Sequence, residues 1–383
     1  MRVLVVGAGI AGLTFARSIT AKGIFVDVVE RVPQLGVVGA GIILQPNGMA
    51  MMGQLGLADK IMRSGSTITH MRHSRGTEPL LLPLAKVWQG IEYPTVGIRR
   101  SDLQAILLDG LTANRPNIRI RYGTSVCNIR SVEDGPVASF DDGIGNKTYD
   151  LVIGADGVNS RLRQQLFQNS HAEPAGLQWW RMIAKCPADV GPREWISTDC
   201  SDGSFGIYPI GGNFVHSHVM FRGTNSPCKR GEETAYLGHE VASWDPLIAA
   251  VIQNRCTMPH IGAPMMVRPA TWGLGLCVLI GDAAHAISPT LSQGGSLAME
   301  DGFALASLLQ HSDDIGTLLN RFASSRNSSV NWALKMATAQ VNGLRRPMAS
   351  ANVLDNSALA IRYMQRMYAP LIAHSAQLQQ MSL

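Results

Sequence analysis

The 383-residue sequence lacks the features of several protein classes. Only 16% of its residues are charged and 6% are aromatic. Its six cysteines (127, 186, 200, 228, 256 and 277) form no C-x-x-C pair and no Cys/His cluster with zinc spacing. We therefore expect free thiols in a reducing compartment, no disulfide framework and no metal site. No stretch approaches the roughly 18 apolar residues of a membrane span, and glycines interrupt the short apolar N-terminus. These absences predict a cytoplasmic protein without stable membrane insertion.

The sequence also has no concentrated charge. Lys and Arg number 33 against 28 Asp and Glu, giving a net charge of +5, but the basic residues are scattered. A nucleic-acid-binding protein would concentrate them on one face or in one tail. The hydrophobic fraction of 46% predicts a globular core and excludes general disorder. The charge balance favours small anionic molecules, nicotinamide phosphates among them.

The first thirty residues have the order of a βαβ unit. A β-branched run at 2–6 predicts a buried strand, 13–21 a helix ended by Gly23, and Phe25 to Glu30 a second strand. Between the first strand and the helix, Gly7, Gly9 and Gly12 form a G-x-G-x-x-G pattern. The first glycine permits a tight turn, the second admits a pyrophosphate, and the third lets helix and strand approach closely.

Glu30 at the end of the second strand indicates which nucleotide binds. A carboxylate there accepts hydrogen bonds from ribose hydroxyls and repels a 2′-phosphate. The pattern therefore predicts the adenosine diphosphate part of NAD or FAD. The alternative is a solvated glutamate at a strand end.

Two later strands also run into glycine turns, at Gly154-Ala155-Asp156-Gly157 and at Gly281-Asp282-Ala283-Ala284-His285. In an open α/β sheet, ligands bind at the edge where such turns lie. An NAD dehydrogenase needs neither turn, so FAD is favoured. Between them, residues 175–222 are rich in aromatic residues and predict an inserted antiparallel sheet. From Phe303 onward the pattern is helical, with a break expected at Arg345-Arg346-Pro347.

Together these motifs resemble the p-hydroxybenzoate hydroxylase family, the class A single-component FAD-dependent monooxygenases. The likeness covers about residues 1 to 330 and includes Pro46-Asn47, the segment Arg99 to Leu103, and Trp272 to His285. It implies an α/β fold: a Rossmann-like FAD-binding domain (1–75, 98–170 and 272–310), an interleaved antiparallel-sheet substrate domain (76–97 and 171–271) and a helical C-terminal region (311–383).

The resemblance implies residues that hold FAD, with NAD(P)H as a transient co-substrate that has no domain of its own. Gly7, Gly9, Gly12 and Glu30 match the positions for the ADP half, and Asp282 matches the position for ribityl hydroxyls. Ser296 and Gly302 depart from the family's usual residues. The full expected set is Gly7, Gly9, Ala11, Gly12, Glu30, Arg31, Gly41, Arg100, Gln104, Val126, Asp156, Gly157, Asp282, Pro289, Gly294, Gly295 and Ser296.

Catalytic residues are less distinct in the sequence. His216 and His218 alternate onto one face of a strand, where a histidine could deprotonate a phenol, or the face could be turned to solvent. We predict His216 and Tyr208 as the catalytic candidates. His285 is either a base or a residue that shapes its turn.

Other side chains bear on the substrate. Arg181 and Arg268 either pair with a substrate carboxylate or form structural ion pairs. Ser204 stands where purine-hydroxylating members of the family place an arginine, which disfavours a purine. The helix after Leu359 either packs on the core or acts as a lid or membrane-surface helix.

The resemblance implies hydroxylation of an electron-rich aromatic or polycyclic small molecule by O2 through a flavin C4a-hydroperoxide. Two alternatives stay open at this point. One is a related flavoenzyme that catalyses oxidation, reduction or cyclisation. The other is a flavin-binding protein without turnover. The expected assembly is a monomer or homodimer.

Overall fold

Two large β-sheets organise the computed structural model of the chain. The structure describes residues 1–34, 40–74, 79–133, 135–143, 145–168, 170–200, 203–268, 271–312, 314–345 and 357–381, without the side chains of 344 and 345. The strands are β1 (Arg2–Val6), β2 (Phe25–Glu30), β3 (Gly41–Leu44), β4 (Ser66–Ile68), β5 (His70–Ser74), β6 (Leu80–Pro83), β7 (Thr95–Arg99), β8 (Ile118–Tyr122), β9 (Val126–Val132), β10 (Gly135–Phe140), β11 (Lys147–Thr148), β12 (Leu151–Gly154), β13 (Glu173–Pro174), β14 (Leu177–Lys185), β15 (Glu194–Cys200), β16 (Gly203–Pro209), β17 (Phe214–Arg222), β18 (His260–Gly262), β19 (Met265–Met266), β20 (Gly273–Leu274) and β21 (Cys277–Leu279).

Helices cover these sheets and form the C-terminal part of the chain. They are α1 (Ile10–Ser18), α2 (Pro46–Gln54), α3 (Ala58–Ser64), α4 (Leu84–Val87), α5 (Arg100–Leu108), α6 (Arg161–Leu166), α7 (Glu233–His239), α8 (Pro246–Gln253), α9 (Asp282–His285), α10 (Gly294–Gln310), α11 (Ile315–Arg345) and α12 (Ser357–Gln379). The predicted α/β class and the helical C-terminal region are confirmed. Within the described residues, no helix combines the length and apolarity that crossing a lipid bilayer requires.

The first large sheet has the strand order β20-β21-β12-β1-β2-β8. Its strands run parallel, apart from the antiparallel β20–β21 pair. Val6 pairs with Gly154, and Gly154 pairs with Leu279, so the three predicted glycine turns meet at one edge. Helix α10 crosses α1 closely because Gly302 has no side chain. A Cβ on Gly302 would lie 2.7 Å from Ala11 O and from Phe15 N.

The second large sheet, β18-β14-β17-β16-β15-β5-β6, has two differently covered faces. One face carries Trp180, Phe205 and Val219, which pack in a separate core with Leu237 of α7 and Val251 of α8. The opposite face is turned toward the FAD-binding region. Strand alternation therefore separates residues that stabilise the sheet from residues available to a ligand.

Several predicted boundaries differ from the structure. Strand β5 pairs with β15, in parallel, so the inserted sheet is not wholly antiparallel and begins before residue 76. Strand β7 pairs with β3 and β4, which belong to the segment 1–75 of the predicted FAD-binding domain. The second segment of that domain therefore begins at Thr95 rather than at 98. Helix α1 spans Ile10–Ser18 rather than the predicted 13–21, so Gly12 lies inside it and Gly23 does not end it. Pro370 does not end α12, and of the break predicted at 345–347 only the backbone of Arg345, the last residue of α11, is described.

Candidate active site

Two adjoining cavities open at the edge where the glycine turns meet. The smaller, of about 310 Å³, lies between the ends of β1 and β2 and the start of α6. The larger, of about 660 Å³, lies between α10 and the free face of the second large sheet. The residues common to both walls are Gly9, Arg100, Ala155 and Gly157. The cavities thus adjoin along the first and second glycine turns.

The first turn is shaped by the absence of side chains. Gly7 has φ +109°, and a Cβ there would lie 2.4 Å from Ala155 O. A Cβ on Gly12 would lie 2.1 Å from Gly7 O, so this glycine allows close packing and does not itself line a cavity. Gly9 has only Ala155 O, 4.0 Å from an added Cβ. A diphosphate can therefore approach the backbone in front of Gly9 and the N-terminus of α1.

Glu30 is held at this turn by backbone donors. Its Oε2 accepts the Ala8 N–H at 2.9 Å, and its Oε1 accepts the Val32 N–H at 3.1 Å. Gln104 donates through Nε2 to Ala8 O at 3.3 Å. Glu30, Gln104 and Val126 line the smaller cavity. The Glu30 carboxylate is thus oriented where ribose hydroxyls of an adenosine moiety would lie.

Asp156 in the second turn has a partly structural role. Its Oδ2 accepts the N–H groups of Arg161 and Leu162 at 2.8 and 3.2 Å, which satisfies the start of α6. Its buried Oδ1 has no hydrogen-bond partner in the described structure and remains for a ligand at the cavity wall. Arg163 joins this turn to the third, because its Nη1 donates to Ala283 O at 2.8 Å and its Nη2 to Val158 O at 2.7 Å. Sequence reasoning missed Arg163, since its partners are backbone oxygens of two separate loops.

The third turn and the start of α10 form one wall of the larger cavity. Asp282, Pro289, Gly294 and Gly295 line this wall. Ser296 does not, because its Oγ accepts the Gln45 N–H at 3.1 Å and faces α2. The remaining expected cofactor residues also lie on cavity walls, Arg31 in the smaller and Ala11 and Gly41 in the larger.

His285 is bonded beneath this wall, away from the cavity. Its Nε2 lies 2.5 Å from Asp301 Oδ2, which also accepts the Gly281 N–H at 2.8 Å. Asp301 Oδ1 accepts from Arg326 Nε at 2.7 Å. Burial opposes ionisation of Asp301, but the charge interactions with His285 and Arg326 outweigh it and lower the pKa of Asp301. His285 therefore shapes the turn, as the structural alternative predicted.

Glu300 extends this buried network to α2 and α12. It forms an ion pair with Arg326 at 2.8 Å and accepts a hydrogen bond from Asn47 Nδ2 at 2.8 Å. Asn47 also donates to Gln293 Oε1 at 3.1 Å, just before α10. Arg326 contacts His374 Nε2 of α12. Burial raises the pKa of Glu300 in spite of Arg326, and burial with Arg326 lowers the pKa of His374 to about 4.

The two predicted catalytic residues occupy different places. Tyr208 lines the larger cavity, and burial raises the pKa of its hydroxyl. His216 accepts the Gly41 N–H on its Nδ1 at 3.0 Å and is not on the cavity wall. Burial, His218 and Arg181 keep the pKa of His216 well below its ordinary value. His218 lies on the wall instead, with a pKa lowered to about 4 by burial and Arg181.

The free face of the second large sheet supplies the opposite wall. Alternate residues of six strands point into the cavity, so the solvent-facing alternative for this face is excluded. They are Trp179, Arg181, Trp195, Ser197, Asp199, Ser204, Tyr208, His218, Met220, Met71, His73 and Leu82. Arg268 lies elsewhere and donates to Thr338 Oγ1 at 3.2 Å.

The C-terminal helices complete the larger cavity. Met336 and Gln340 of α11 and Met364, Met367 and Tyr368 of α12 lie on its wall. Helix α12 also packs on α2 and α4, with the ring centroids of Tyr368 and Trp88 4.6 Å apart. The helix therefore both packs on the core and bounds the cavity.

The residues present fit FAD. The smaller cavity offers a carboxylate for ribose and an open glycine backbone for phosphate, and it adjoins the larger one through Arg100. In the larger cavity, Asp282 and the N-terminus of the 17-residue α10 face the space where a flavin ring would lie. The unpartnered Oδ1 of Asp156 lies on the wall of the adjoining smaller cavity. When bound, FAD supplies the transfer of reducing equivalents from NAD(P)H to O2.

Comparison with known proteins agrees with this geometry. Residues 1–314 match the family model described as an FAD binding domain. The chain belongs to this family. It is 30% identical over 315 residues to the 2-heptyl-3-hydroxy-4(1H)-quinolone synthase of Pseudomonas aeruginosa, covering 80% of each chain. It is also 30% identical over 341 residues to the aurachin C monooxygenase/isomerase of Stigmatella aurantiaca, covering 86% of each.

Solved structures of the family share the fold. The Klebsiella pneumoniae HpxO structure with FAD and uric acid superposes with a TM-score of 0.83 at 22% identity, covering 100% of this chain and 97% of the other. The resemblance to class A FAD-dependent monooxygenases is thus confirmed, and with it an oxidoreductase that binds FAD. NAD(P)H is the co-substrate typical of this family.

Proposed function

We propose that this family member is a monooxygenase that hydroxylates a fused heteroaromatic ring bearing an apolar substituent, of the 4-quinolone type. The observation that carries the proposal is the larger cavity, in which the start of α10 faces a sheet wall rich in aromatic residues. Trp179, Trp195 and Tyr208 offer ring surfaces, and the methionines Met336, Met364 and Met367 offer adaptable apolar surface. The name of the Pseudomonas aeruginosa relative at 30% identity, a 2-heptyl-3-hydroxy-4(1H)-quinolone synthase, supports the same substrate class.

The residues of the chain position the reactants. The first N–H groups of α10 lie at the cavity wall and would stabilise negative charge on a flavin ring bound there. Asp282 would hold the ribityl chain, and Glu30 would hold the ribose. The wall formed by α11 and α12 keeps water from the reacting atoms. We further infer a cytoplasmic location and a monomer or homodimer.

The test is oxidation of NADPH and NADH by the FAD-loaded protein with a matched set of ligands. A 2-alkyl-4-quinolone should accelerate oxidation and yield a product that carries one atom from ¹⁸O2. The same ring without its alkyl chain should be poorer, because it leaves the methionine surface without a contact. Oxidation that no aromatic ligand stimulates, with peroxide as its only product, would overturn the proposal and favour a flavin-binding protein without turnover.

The cofactor site has its own test. Glu30→Gln removes the charge from hydrogen bonds that are worth about 1.5–3 kcal/mol when charge-assisted, so the Kd for FAD should rise about tenfold or more. Fluorescence titration of the apoprotein measures this Kd. Glu133→Gln, an exposed site outside both cavities, is the matched control. An unchanged Kd for Glu30→Gln would contradict the assigned ribose contact.

A further inference from the structure

Several buried donors on the sheet wall of the larger cavity have no hydrogen-bond partner in the described structure. They are Arg181 Nε, Trp179 Nε1, His218 Nδ1 and Ser204 Oγ. All four residues line the cavity, and three of them belong to the neighbouring strands β14 and β17. Leaving a buried donor unsatisfied costs roughly 1–3 kcal/mol. Such a group of donors indicates a ligand that brings acceptors to this wall.

Arg181 is the cation of this group. Its guanidinium stacks over the Trp179 ring at 4.2 Å, and its Nη2 lies 2.9 Å from His260 Nδ1. Among the described residues it forms no ion pair with a carboxylate. Stacking and the strand pairing on both sides fix the guanidinium, so its free Nε is already oriented.

The described groups that face Arg181 carry no negative charge. His218 faces it from β17, His260 from β18, Tyr208 from β16, and Arg100 from the start of α5. Burial and the repulsion from Arg100 lower the pKa of Arg181, but an arginine stays charged at neutral pH. Asp199 lies on the same wall, and its described partner is His73, at 3.6 Å. The positive charge of Arg181 is therefore left for a ligand.

We propose that Arg181 is the residue of this chain that binds a ring oxygen of the substrate as an oxyanion and so positions the ring. This inference rests on the proposed function. The O–H bond, or the N–H bond of a vinylogous amide, breaks. Its proton goes to solvent water, and the electron pair stays on the oxygen beside Arg181 and in the ring. The ring carbon next to that oxygen thereby becomes electron-rich, and no histidine is needed as base.

The two histidines of β17, of which only His218 lies on this wall, are consistent with that role. Both His216 and His218 are kept neutral, because burial and nearby cations lower their pKa values. A neutral His218 can donate a hydrogen bond to the oxyanion through its unpartnered Nδ1, beside the charge of Arg181. Gly206 makes room for this ring, since a Cβ there would lie 2.3 Å from His218 Cε1.

The experiment measures the ionisation of a bound probe rather than turnover. 4-Nitrophenol, whose phenolate absorbs in the visible region, is titrated from pH 5 to 8.5 in the FAD-loaded enzyme, with probe-free enzyme as the blank. The bound probe should ionise at least about one pH unit below the free probe, a tenfold preference for the phenolate. Arg181→Gln should bring ionisation back to the free value or above it, and Arg181→Lys should give an intermediate shift.

Arg268→Gln is the matched control, because this arginine lies outside the larger cavity, and it should titrate like the wild type. If Arg181→Gln loses FAD, the Arg181→Lys shift decides. A wild-type probe that ionises at or above its free value would overturn the proposal, as would an Arg181→Gln titration equal to the wild type. Failure of both 4-nitrophenol and 3-hydroxy-4-quinolone to bind would do the same.

The outcomes separate this proposal from the proposed function. If bound 4-nitrophenol ionises at a lower pH than the free probe but no oxygenated quinolone product forms, the oxyanion site is supported and the 4-quinolone substrate is refuted. An oxygenated product without a shifted probe would do the reverse.

Discussion

Two clusters of buried polar groups flank the larger cavity, and they differ in how their charges are satisfied. Beneath the flavin side, Asp301, Glu300 and Arg326 are fully buried and paired with one another. On the sheet side, Arg181 and His218 have buried donors for which the described residues provide no acceptor. A paired cluster fixes the backbone around it, whereas an unpaired cluster leaves binding energy for a ligand. The difference identifies which side of the cavity is scaffold and which side recognises substrate.

Breaking the paired cluster should have the largest effect. Arg326→Leu removes the cation that Glu300 and Asp301 share, which should lower the free energy of unfolding by about 3–5 kcal/mol. Urea denaturation of the FAD-loaded protein measures the loss. Arg321→Leu on the same helix, at an exposed position, should change stability by less than about 0.5 kcal/mol. Equal stabilities of the two variants would show that the cluster does not hold the fold.

The unpaired cluster should affect how the free energy of unfolding depends on pH. The pKa of His218 falls from an ordinary 6.5 to about 4 in the folded state, so the unfolded state binds more protons between these values. Stability is then complete above pH 6.5 and is lost as the pH falls toward 4. His218→Gln should reduce this slope by at most about 1.4 kcal/mol per pH unit.

Denaturation midpoints at several pH values measure that slope. His239→Gln is the control, because the side chain of His239 is 89% exposed and should leave the slope unchanged. A slope that His218→Gln leaves intact would mean that this ring is not held neutral.

Substitution of two serines, one in each cluster's surroundings, should have the smallest effects on stability. Ser296→Ala removes the acceptor of the buried Gln45 N–H and should cost about 1–2 kcal/mol, with FAD affinity unchanged because Ser296 lies off the cavity wall. Ser204→Ala removes a buried hydroxyl that has no partner among the described residues, so it should raise rather than lower the free energy of unfolding, by about 1 kcal/mol or more. Thermal unfolding and FAD titration of both variants test the pair. A larger loss of stability from Ser204→Ala than from Ser296→Ala would contradict the division into a scaffold side and a recognition side.

Sequence patterns predicted the scaffold better than the recognition surface. The βαβ unit and the meeting of three glycine turns follow from local runs that end in glycine. Strand β5 was missed because the short polar sequence His70–Ser74 has little strand character, and only its pairing with β15 places it in the sheet. Strand alternation predicted that His216 and His218 share one face of β17. Only His218 lies on the cavity wall, because His216 accepts the Gly41 N–H, and this contact between distant segments could not be predicted from the sequence.

The buried network was also beyond sequence reasoning, because its partners are far apart along the chain. Asn47 and Glu300, for example, are separated by 253 positions. A usable signal was present nevertheless. Glu300 and Asp301 stand together in an otherwise apolar helix, and two carboxylates on such a helix require a buried cation. The sequence could not identify Arg326 as that cation.

The wall contributed by α11 and α12 lies beyond residue 314, where the match to the FAD-binding family model ends. Side chains such as Gln340, Met364 and Met367 therefore shape the space for substrate without belonging to the part of the chain that is matched to FAD binding. Mutations there can change what fits the cavity while nucleotide affinity is preserved. Under selection for a new substrate, this segment can therefore diverge with little effect on cofactor binding.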